Sequence, residues 1–489
     1  MTSSHYLPPS LVPERADSQS TRSHDTPSYA EKNQYSINDQ DESSNRLHPV
    51  RSLQQEVKEL REDINNTVGP GEALRRAVTG QSTASVKDPG PPPDGGVLAW
   101  TQAIMAHLVI FNTWGYIASF GVFQTYYTTT LGHPASDISW VGSVQIFLLF
   151  FIGTFSGRAI DGGLFHHVFI AGFIIQLIGV FMTSLSTKYW QLFLAQGVCT
   201  GLANGLQFCP TMSLVSTYFS KKRAFAMGVA ATGSATGGLV FPAIVRSLLP
   251  QIGFAWTVRV LGLVMLVLGA LYTATLRTRL PPRKSGPLVE WSAFREPTYV
   301  LSVFGIFLAF WSLYFAFYYV GAYGRNIIGI PYEESISLLL IMNGVGIPAR
   351  LIPNFFADRT FGPLNMVIPY CFLTGCVFFA WSGVHSRGGV YAFACAYGLV
   401  SAGIQSLFPP TLTSLTTDLT KTGVRLGMGF TIVSFACLTG PPLAGALIQD
   451  DDGQYLYAQM WAGSTMVCGG CLLVAARIVK TGFVLKQKI

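Results

Sequence analysis

The feature that most constrains this chain is a series of long apolar runs separated by short polar connections. From Trp100 to about residue 479, windows long enough to cross a bilayer as a helix recur almost without interruption. Inside lipid, a helix satisfies all of its own backbone hydrogen bonds. The windows predict spans at residues 100–125, 137–157, 165–186, 190–217, 224–248, 254–276, 298–322, 335–358, 364–384, 390–416, 423–447 and 455–479. We therefore expect an all-α membrane protein with twelve transmembrane helices.

The charged residues are few and unevenly distributed. They make up 12% of the chain, about half of the roughly 25% found in an average soluble domain. Sixteen lysines and arginines lie in the connections after spans 2, 4, 6, 8 and 10 and in the C-terminal tail, against three in the opposite connections. Since short cytoplasmic loops carry the excess of basic residues, we expect both termini in the cytoplasm. The net charge of +7 is explained by these loops and does not indicate nucleic-acid binding.

The N-terminal segment differs from the rest of the chain. Residues 1–93 are rich in polar and charged side chains and lack the apolar core of a signal peptide. We expect a disordered cytosolic tail. Five apolar residues between positions 50 and 64 fall on one side of a short helix. This helix either stays solvated or binds an accessory protein or a second copy of the chain.

An internal repeat divides the spans into two halves. Gly205-Leu206-Gln207 recurs as Gly403-Ile404-Gln405, and Asp161 after span 2 has a counterpart in Asp358 after span 8, at offsets of 198 and 197 residues. A common offset indicates duplicated halves that run in the same direction, with a ligand site between them near the midplane. Chance similarity among glycine-rich helices is the alternative. The expected organisation is a six-helix half at 94–276, a cytosolic linker at 277–297, a second half at 298–480 and a cytosolic tail at 481–489.

Two motifs resemble those of a known family. The motif between spans 4 and 5 comprises Tyr218, Phe219, Lys221, Lys222, Arg223, Gly228 and Gly233, and the motif before span 1 comprises Asp94, Gly95 and Gly96. Together they resemble the signatures of monocarboxylate porters of the major facilitator superfamily, over residue 94 to about 480. The long polar tail and the ending Val97-Leu98-Ala99-Trp100 resemble the fungal branch. The resemblance implies two pseudo-symmetric six-helix halves and transport by alternating access.

Most residues of these motifs are best explained by a structural role. Glycines such as Gly228 and Gly233 let span 5 approach a neighbouring helix closely. Asp161 and Asp358 resemble the superfamily's gating aspartates, whose carboxylates can bind a helix N-terminus or an arginine. The candidate local counter-ions are Arg158 and Arg359. The alternative is that these charges are merely solvated at helix ends.

Arg350 is the most informative single residue. It lies about sixteen residues into span 8, where an arginine costs at least ~2.5 kcal/mol unless it is paired or faces water. In monocarboxylate porters, an arginine at the corresponding place is associated with binding the substrate carboxylate, to which a guanidinium can donate two parallel hydrogen bonds. Asn343 lies seven residues earlier on the same helical face. The alternative is an arginine that reaches the cytoplasmic interface or pairs with Asp358.

Several amides inside the spans are further candidates for substrate contacts. Buried amides need hydrogen-bond partners, which are either a ligand or each other across helix interfaces. The set comprises Asn112, Gln145, Asn204, Gln207 and Gln405. Gln207 and Gln405 occupy repeat-related positions, which favours a central location, whereas bonding between helices is the alternative for the whole set. Aromatic residues such as Trp114, Tyr314 and Phe408 are candidates for the walls of a cavity.

The residues that proton-coupled members use for the proton are missing. These members carry an aspartate four residues before the span-8 arginine and a lysine in span 1, and this chain has Gly346 and Ala118 at those places. We therefore expect facilitated diffusion, or coupling through other groups, rather than lactate–proton symport.

We predict a secondary transporter of a small organic solute, either a monocarboxylate or another acidic metabolite. Within the class, the alternative is efflux of a secondary metabolite or transport of a vitamin such as riboflavin; outside the class, it is a non-transporting sensor or scaffold. No nucleophile–base pair, metal-ligand spacing or phosphate loop is present in the sequence, so we expect no enzyme activity, metal or other cofactor. The expected partners are a small-molecule substrate and the lipid bilayer. The plasma membrane is the expected location, with a vacuolar or other internal membrane as the alternative.

Overall fold

A computed structural model describes residues 90–132, 135–281, 287–484 and 487–488. Within these ranges, all regular secondary structure is helical. The expectations for residues 1–89, including the disordered tail and its short helix, lie outside the described residues.

Six helices form the first half of the bundle. They are α1 (Gly96–Ala118, continued as Phe120–Leu131), α2 (Ala135–Phe151, continued as Gly153–Asp161), α3 (Phe165–Thr183), α4 (Tyr189–Leu192, the π-helical Phe193–Cys199 and Thr200–Tyr218), and α5 and α6, which share the helix Arg223–Thr275. This last helix would extend about 80 Å if it were straight, more than twice the thickness of a hydrocarbon core. Gly253 breaks it, with φ 73° and ψ 173°. Residues 223–252 therefore form α5, and residues 254–275 form α6.

The second half also has six helices. They are α7 (Pro297–Tyr323), α8 (Tyr332–Phe356), α9 (Pro363–Trp381), α10 (Arg387–Ser414), α11 (Thr422–Asp450) and α12 (Leu456–Thr481). Short π-helical turns, Gly324–Ile328 and Ala357–Phe361, extend α7 and α8.

The prediction of twelve transmembrane helices is confirmed. In the described part of the chain, ten helices are long and apolar enough to cross a membrane, and Arg223–Thr275 is one of these. Because of the break at Gly253, this helix makes two crossings. The remaining crossing is α4, whose polar side chains lower its hydropathy; it is enclosed by its neighbours, and 17 of the 19 residues of Thr200–Tyr218 are buried.

Glycines allow α5 to cross both α1 and α8 at short distance. A Cβ atom at Gly233 would lie 2.2 Å from the carbonyl oxygen of His107 on α1, and one at Gly228 would lie 2.8 Å from the carbonyl oxygen of Arg350 on α8. Both distances are shorter than non-bonded atoms tolerate, so a larger residue would push the helices apart. The predicted packing role of the span-5 glycines is confirmed, and α5 contacts both halves of the bundle.

The two ends of the bundle differ in charge. At one end, α2, α4, α8 and α10 finish and α5 and α11 begin. The connections at this end carry basic residues that include Lys221, Lys222, Arg359 and Lys421. We name it the basic end and the other the opposite end.

Candidate functional site

A large cavity lies between the two halves. Its volume is about 840 Å³, and its lining comes from α1, α2 and α5 of the first half and from α7, α8, α10 and α11 of the second. It extends from Arg350 and Gln405 in the interior to Ser139, Arg325 and Gln449. These last three residues lie near the opposite ends of α2, α7 and α11. The cavity is therefore open towards the opposite end of the bundle.

Arg350 lies at the inner end of this cavity, and not all of its hydrogen-bond donors have a partner among the described residues. The side chain is 3% exposed. It donates to the carbonyl oxygen of Gly346 at 3.1 Å and to Oε1 of Gln405 at 3.2 Å. Its Nε and the Nε2 of Gln405 have no hydrogen-bond partner among the described residues. A buried cation with unused donors is unfavourable unless an acceptor arrives. We name Arg350 and Gln405 the candidate anion site, and for short the anion site.

Gly346 lies next to the guanidinium of Arg350 and offers it no acidic side chain. A Cβ atom at position 346 would lie 2.5 Å from the Nη1 of Arg350, so any side chain at this position would meet the guanidinium. An aspartate there would form an internal ion pair. Because the residue is glycine, position 346 contributes only a neutral backbone carbonyl oxygen to Arg350. The guanidinium charge is therefore not neutralised from this position. Ala118, at the place of the missing span-1 lysine, also lines the cavity.

The cavity lining is rich in aromatic side chains and free of acids. Among the described residues, its ionisable members at neutral pH are Arg325 and Arg350, and it contains no aspartate or glutamate. The aromatic members are Trp114, Phe120, Trp140, Tyr314, Phe317, Tyr318, Tyr319 and Tyr332. A cleft lined by charge of one sign focuses the field and concentrates ions of the other sign. The cavity therefore favours anions with apolar bodies.

Five phenylalanine rings close the cavity on its way to the basic end. They are Phe150, Phe208, Phe310, Phe408 and Phe430, which we name the aromatic plug. Ring centroids lie 5.7 Å apart for Phe150 and Phe208, and 5.2 Å apart for Phe208 and Phe430 across the two halves. Phe408 lies 5.1 Å from both Phe310 and Phe430. The space left within the plug is about 30 Å³. An apolar constriction of this kind excludes water and ions while it stays closed.

Two aspartates join the halves at the basic end. The carboxylate of Asp161 accepts hydrogen bonds from the backbone N–H groups of residues 423 and 424, at 3.1 and 2.9 Å, in the first turn of α11. The carboxylate of Asp358 accepts from residues 224 and 225, at 2.9 and 2.6 Å, in the first turn of α5. Free N–H groups and the helix dipole make a helix N-terminus a favourable site for a negative charge. We name these two contacts the latches.

Close helix packing reinforces the latch at α2 and α11. A Cβ atom at Gly157 would lie 2.1 Å from the carbonyl oxygen of Gly423, and one at Gly427 would lie 2.1 Å from that of Gly153. The Sγ of Cys209 on α4 lies 3.9 Å from the carbonyl oxygen of Gly423 and is fully buried. The basic end is therefore closed in this structure, while the opposite end is open.

Charged residues brace the start of α11 from the linker. Lys421 pairs with Glu290 at 2.8 Å, and Arg425 pairs with Glu296 through two nitrogens. Burial would raise the pKa of Glu290, but hydrogen bonds from Lys421 and Ser292 and the charges of Lys421 and Arg425 outweigh it and hold the pKa below its usual range. Glu290 therefore stays ionised and fixes the linker to the helix that carries one latch.

The expected counter-ion of Asp358 does not pair with it in this structure. The guanidinium of Arg359 lies 5.9 Å from the centroid of the Phe355 ring, and the structure records no ion pair between Arg359 and Asp358 among the described residues. The charges that face Asp358 belong to Arg223 and Lys488. The predicted Arg359–Asp358 pair is absent from this conformation because a helix N-terminus takes the carboxylate. Arg158 lies one turn before Asp161 in the same helix.

Four of the predicted substrate-binding amides form bonds within the first half and do not line the cavity. Tyr272 joins Asn112 to Gln207, at 3.4 and 3.1 Å. Gln176 receives a bond from Gln207 at 3.2 Å and donates one to Asn204 at 2.9 Å. Gln145 donates to Thr200 at 2.8 Å. The amides concerned are Asn112, Gln145, Asn204 and Gln207, all 0% exposed. They stabilise helix contacts, whereas Asn343 lines the cavity beside Arg350 and Gln405.

The two family motifs bind each other. The carboxylate of Asp94 accepts from the backbone N–H groups of residues 220 and 221, at 2.5 and 2.6 Å, in the loop before α5. The N–H of Asp94 donates to the carbonyl oxygen of Tyr218 at 3.1 Å. Gly96, with φ 80°, has the left-handed backbone that lets the chain turn into α1. The motifs therefore fix the start of α1 to the start of α5, far from the cavity.

Some residues of the cavity were not predicted from the sequence. Arg325 was expected to be a basic residue in a loop, but it lines the mouth of the cavity and donates a hydrogen bond to Ser335 at 2.9 Å. The plug residues Phe150, Phe310 and Phe430 carry no distinguishing signal, because the chain has 34 phenylalanines and most lie in apolar helices without a clear polar face.

The sequence is similar to a family of membrane transporters, which agrees with the helical bundle and its central cavity. The sequence model of the Major Facilitator Superfamily matches residues 105–441. An MFS-type transporter of Gibberella zeae is 46% identical over 433 residues, which is 88% of this chain and 96% of that protein. The aspyridones efflux protein of Emericella nidulans is 36% identical over 394 residues, which is 80% of each chain.

Solved structures share the fold at low sequence identity. The human organic anion transporter MFSD10 matches with a TM-score of 0.62 at 13% identity, over 77% of this chain and 98% of that chain. FucP in its outward conformation matches with a TM-score of 0.61 at 12% identity, over 78% and 99%. The chain is thus a multi-pass membrane transporter and belongs to the major facilitator superfamily.

Proposed function

We propose that this protein exports an organic acid larger than a simple monocarboxylate, by alternating access. The observation that carries the proposal is the cavity with Arg350 at its inner end and no aspartate or glutamate among its described lining residues. An anion that reaches Arg350 and Gln405 would take up the donors that lack a partner among the described residues. Fork-shaped donation suits a carboxylate or another acidic group with two oxygens.

The size of the cavity separates this substrate from lactate-like acids. Pockets of about 300–1,000 Å³ hold drug-sized ligands, and this cavity has about 840 Å³. A three-carbon acid would leave most of it filled with water and would not contact the aromatic walls. The motifs resemble monocarboxylate porters, and the retained arginine fits them, but the aromatic volume around it favours a larger amphipathic acid.

The proposed direction is outward across the plasma membrane. The Emericella nidulans relative is an efflux protein, and we extend export to this chain by its similarity. If the basic end faces the cytoplasm, as the distribution of lysine and arginine favours, the cavity in this structure opens to the outside. It then represents the state from which an exported solute leaves. Breaking the latches and the plug would open the cavity to the cytoplasm for loading.

A metabolite comparison tests the proposal. Cells that express the wild-type protein, the Arg350→Gln variant or the Arg387→Gln variant are compared for acidic metabolites inside and outside the cell. Arg387 is an exposed arginine paired with Glu334 at the opposite end and outside the cavity lining, so its variant is a matched control. We expect at least one acid outside wild-type and Arg387→Gln cells that stays inside Arg350→Gln cells. Identical distributions with all three proteins at the same surface level would refute the proposal.

A further inference from the structure

Three aromatic rings that line the cavity lie in a row from one half of the bundle to the other. Trp114 of α1 and Tyr314 of α7 have ring centroids 6.2 Å apart with planes at only 13°. Phe317, one turn further along α7, lies 6.2 Å from Tyr314. All three line the large cavity. We name them the aromatic wall. Because Trp114 and Tyr314 belong to different halves, a ligand on this wall contacts both.

The aromatic wall lies next to the anion site. Trp114, Tyr314, Arg350 and Gln405 all border both the large cavity and the small space of about 30 Å³ in the plug. These four residues therefore lie where the large cavity meets the plug. A ligand held by its acidic group at Arg350 therefore places the atoms next to that group against the wall.

The plug prevents such a ligand from extending in the other direction. Phe310 precedes Tyr314 by one turn towards the basic end and lies 6.2 Å from it. Phe150 and Phe208 lie 5.7 and 6.1 Å from Trp114 on the same side. A third ring does not fit between Trp114 and Tyr314, because two stacking distances of about 3.5 Å need about 7 Å. The ligand's ring must therefore pack on the cavity side of the wall.

We propose that the aromatic wall is a subsite for a planar aromatic or conjugated ring attached directly to the acidic group of the substrate. This inference rests on the proposed function and specifies its substrate class as aryl acids. Stacking between aromatic faces adds to the burial of apolar area, so a flat ring binds more tightly than a saturated ring of the same size and charge. The wall thus selects for planarity, while Arg350 selects for charge.

The test compares two acids with the same fused two-ring carbon skeleton, one aromatic and planar and the other saturated. Binding of 2-naphthoate and of decahydro-2-naphthoate to the purified full-length protein in lipid nanodiscs is measured by titration calorimetry at neutral pH, where both are anions. We expect the wild-type protein to bind 2-naphthoate roughly 2- to 12-fold more tightly, the range set by the worth of one aromatic pair. Trp114→Leu should remove this preference and keep binding of the saturated acid. Trp190→Leu is the control, since Trp190 is 58% exposed and outside the lining.

Variants at Tyr314 separate stacking from general packing. Tyr314→Phe keeps the ring and should keep the preference, whereas Tyr314→Leu should lose it; thermal unfolding of each purified variant checks that it is folded. Equal affinity of the wild-type protein for both acids, or a preference that survives in Trp114→Leu and Tyr314→Leu, would overturn the subsite and leave the proposed export of acids standing. If neither acid binds to the wild-type protein, or both bind unchanged to Arg350→Gln, the proposed function fails together with the subsite.

Discussion

Replacing Asp358 by asparagine should open the basic end of the bundle. The Asp358 carboxylate accepts two short backbone hydrogen bonds from the first turn of α5, at 2.9 and 2.6 Å, and so ties the second half to the first. Asparagine fits the same space but offers one neutral acceptor in place of a charged carboxylate with two. The closed basic end therefore loses stabilisation that the opened state never had.

The magnitude follows from the contacts. Hydrogen bonds to a charged group contribute about 1.5–3 kcal/mol net, and the negative charge at the helix N-terminus adds to the same interaction. Loss of about 1.5–3 kcal/mol shifts the equilibrium between closed and open basic ends roughly 10- to 150-fold. The second latch, at Asp161, remains in place, so the closed state stays populated and the protein stays folded.

Cys209 provides a native reporter at the other latch. Its thiol is fully buried and lies 3.9 Å from the carbonyl oxygen of Gly423, between α4 of the first half and α11 of the second. Separation of the halves at the basic end would expose it. Alkylation of Cys209 by N-ethylmaleimide, followed by mass spectrometry of its peptide, should therefore be roughly 10- to 150-fold faster in Asp358→Asn, because the rate tracks the population of the open form.

Asp452→Asn is the matched control. Asp452 is an exposed aspartate in the loop at the opposite end, with φ 51°, a conformation that asparagine tolerates. Its variant should alkylate at the wild-type rate. If Asp358→Asn also alkylates at the wild-type rate, the two latches do not report on one rigid-body movement, and the reasoning from paired latches is refuted.

Three further predictions follow from the packing and from the missing charges. Gly233→Val should fail to assemble or should unfold at a much lower temperature in detergent, since its Cβ would lie 2.2 Å from the carbonyl oxygen of His107; a wild-type melting temperature would contradict the close crossing. Phe430→Ala should admit ions through the plug, measured as dye-reported proton leak in proteoliposomes, and a variant as tight as wild type would show that the latches alone seal the path. Transport should depend little on an imposed pH gradient, since Gly346 and Ala118 replace the titrating groups, and strong stimulation by such a gradient would refute this.

The architecture can be predicted from the sequence because the lipid bilayer imposes strong and local constraints on each span. The length of each apolar run sets each span, and twelve spans are found where the runs predict them. The break between α5 and α6 lies at Gly253, inside the short gap predicted between spans 5 and 6. The repeat-related aspartates Asp161 and Asp358 are found in equivalent contacts, each on a helix N-terminus of the other half.

The residues of the site are harder to predict, because the sequence of an apolar helix does not show which of its faces points to the cavity. Gln207 and Gln405 occupy repeat-related positions, yet Gln405 binds Arg350 while Gln207 binds Tyr272 and Gln176. The duplicated halves have therefore diverged in what their equivalent amides contact. Arg350 could be predicted since a charge within a span is costly wherever it points. Phenylalanines carry no such cost, so the plug becomes evident only when the helices are packed together.

The central claim is that Arg350 binds an organic anion in a cavity whose described lining contains no aspartate or glutamate. Counterflow of labelled 2-naphthoate in proteoliposomes tests it most directly, with wild-type protein, Arg350→Gln and the control Arg387→Gln reconstituted at equal density. Loss of one partner of a buried charge pair costs about 2–5 kcal/mol, so Arg350→Gln should need at least about 30-fold more substrate for the same exchange. Arg387→Gln should match the wild-type protein. Exchange by Arg350→Gln at the wild-type rate and concentration dependence would contradict the claim.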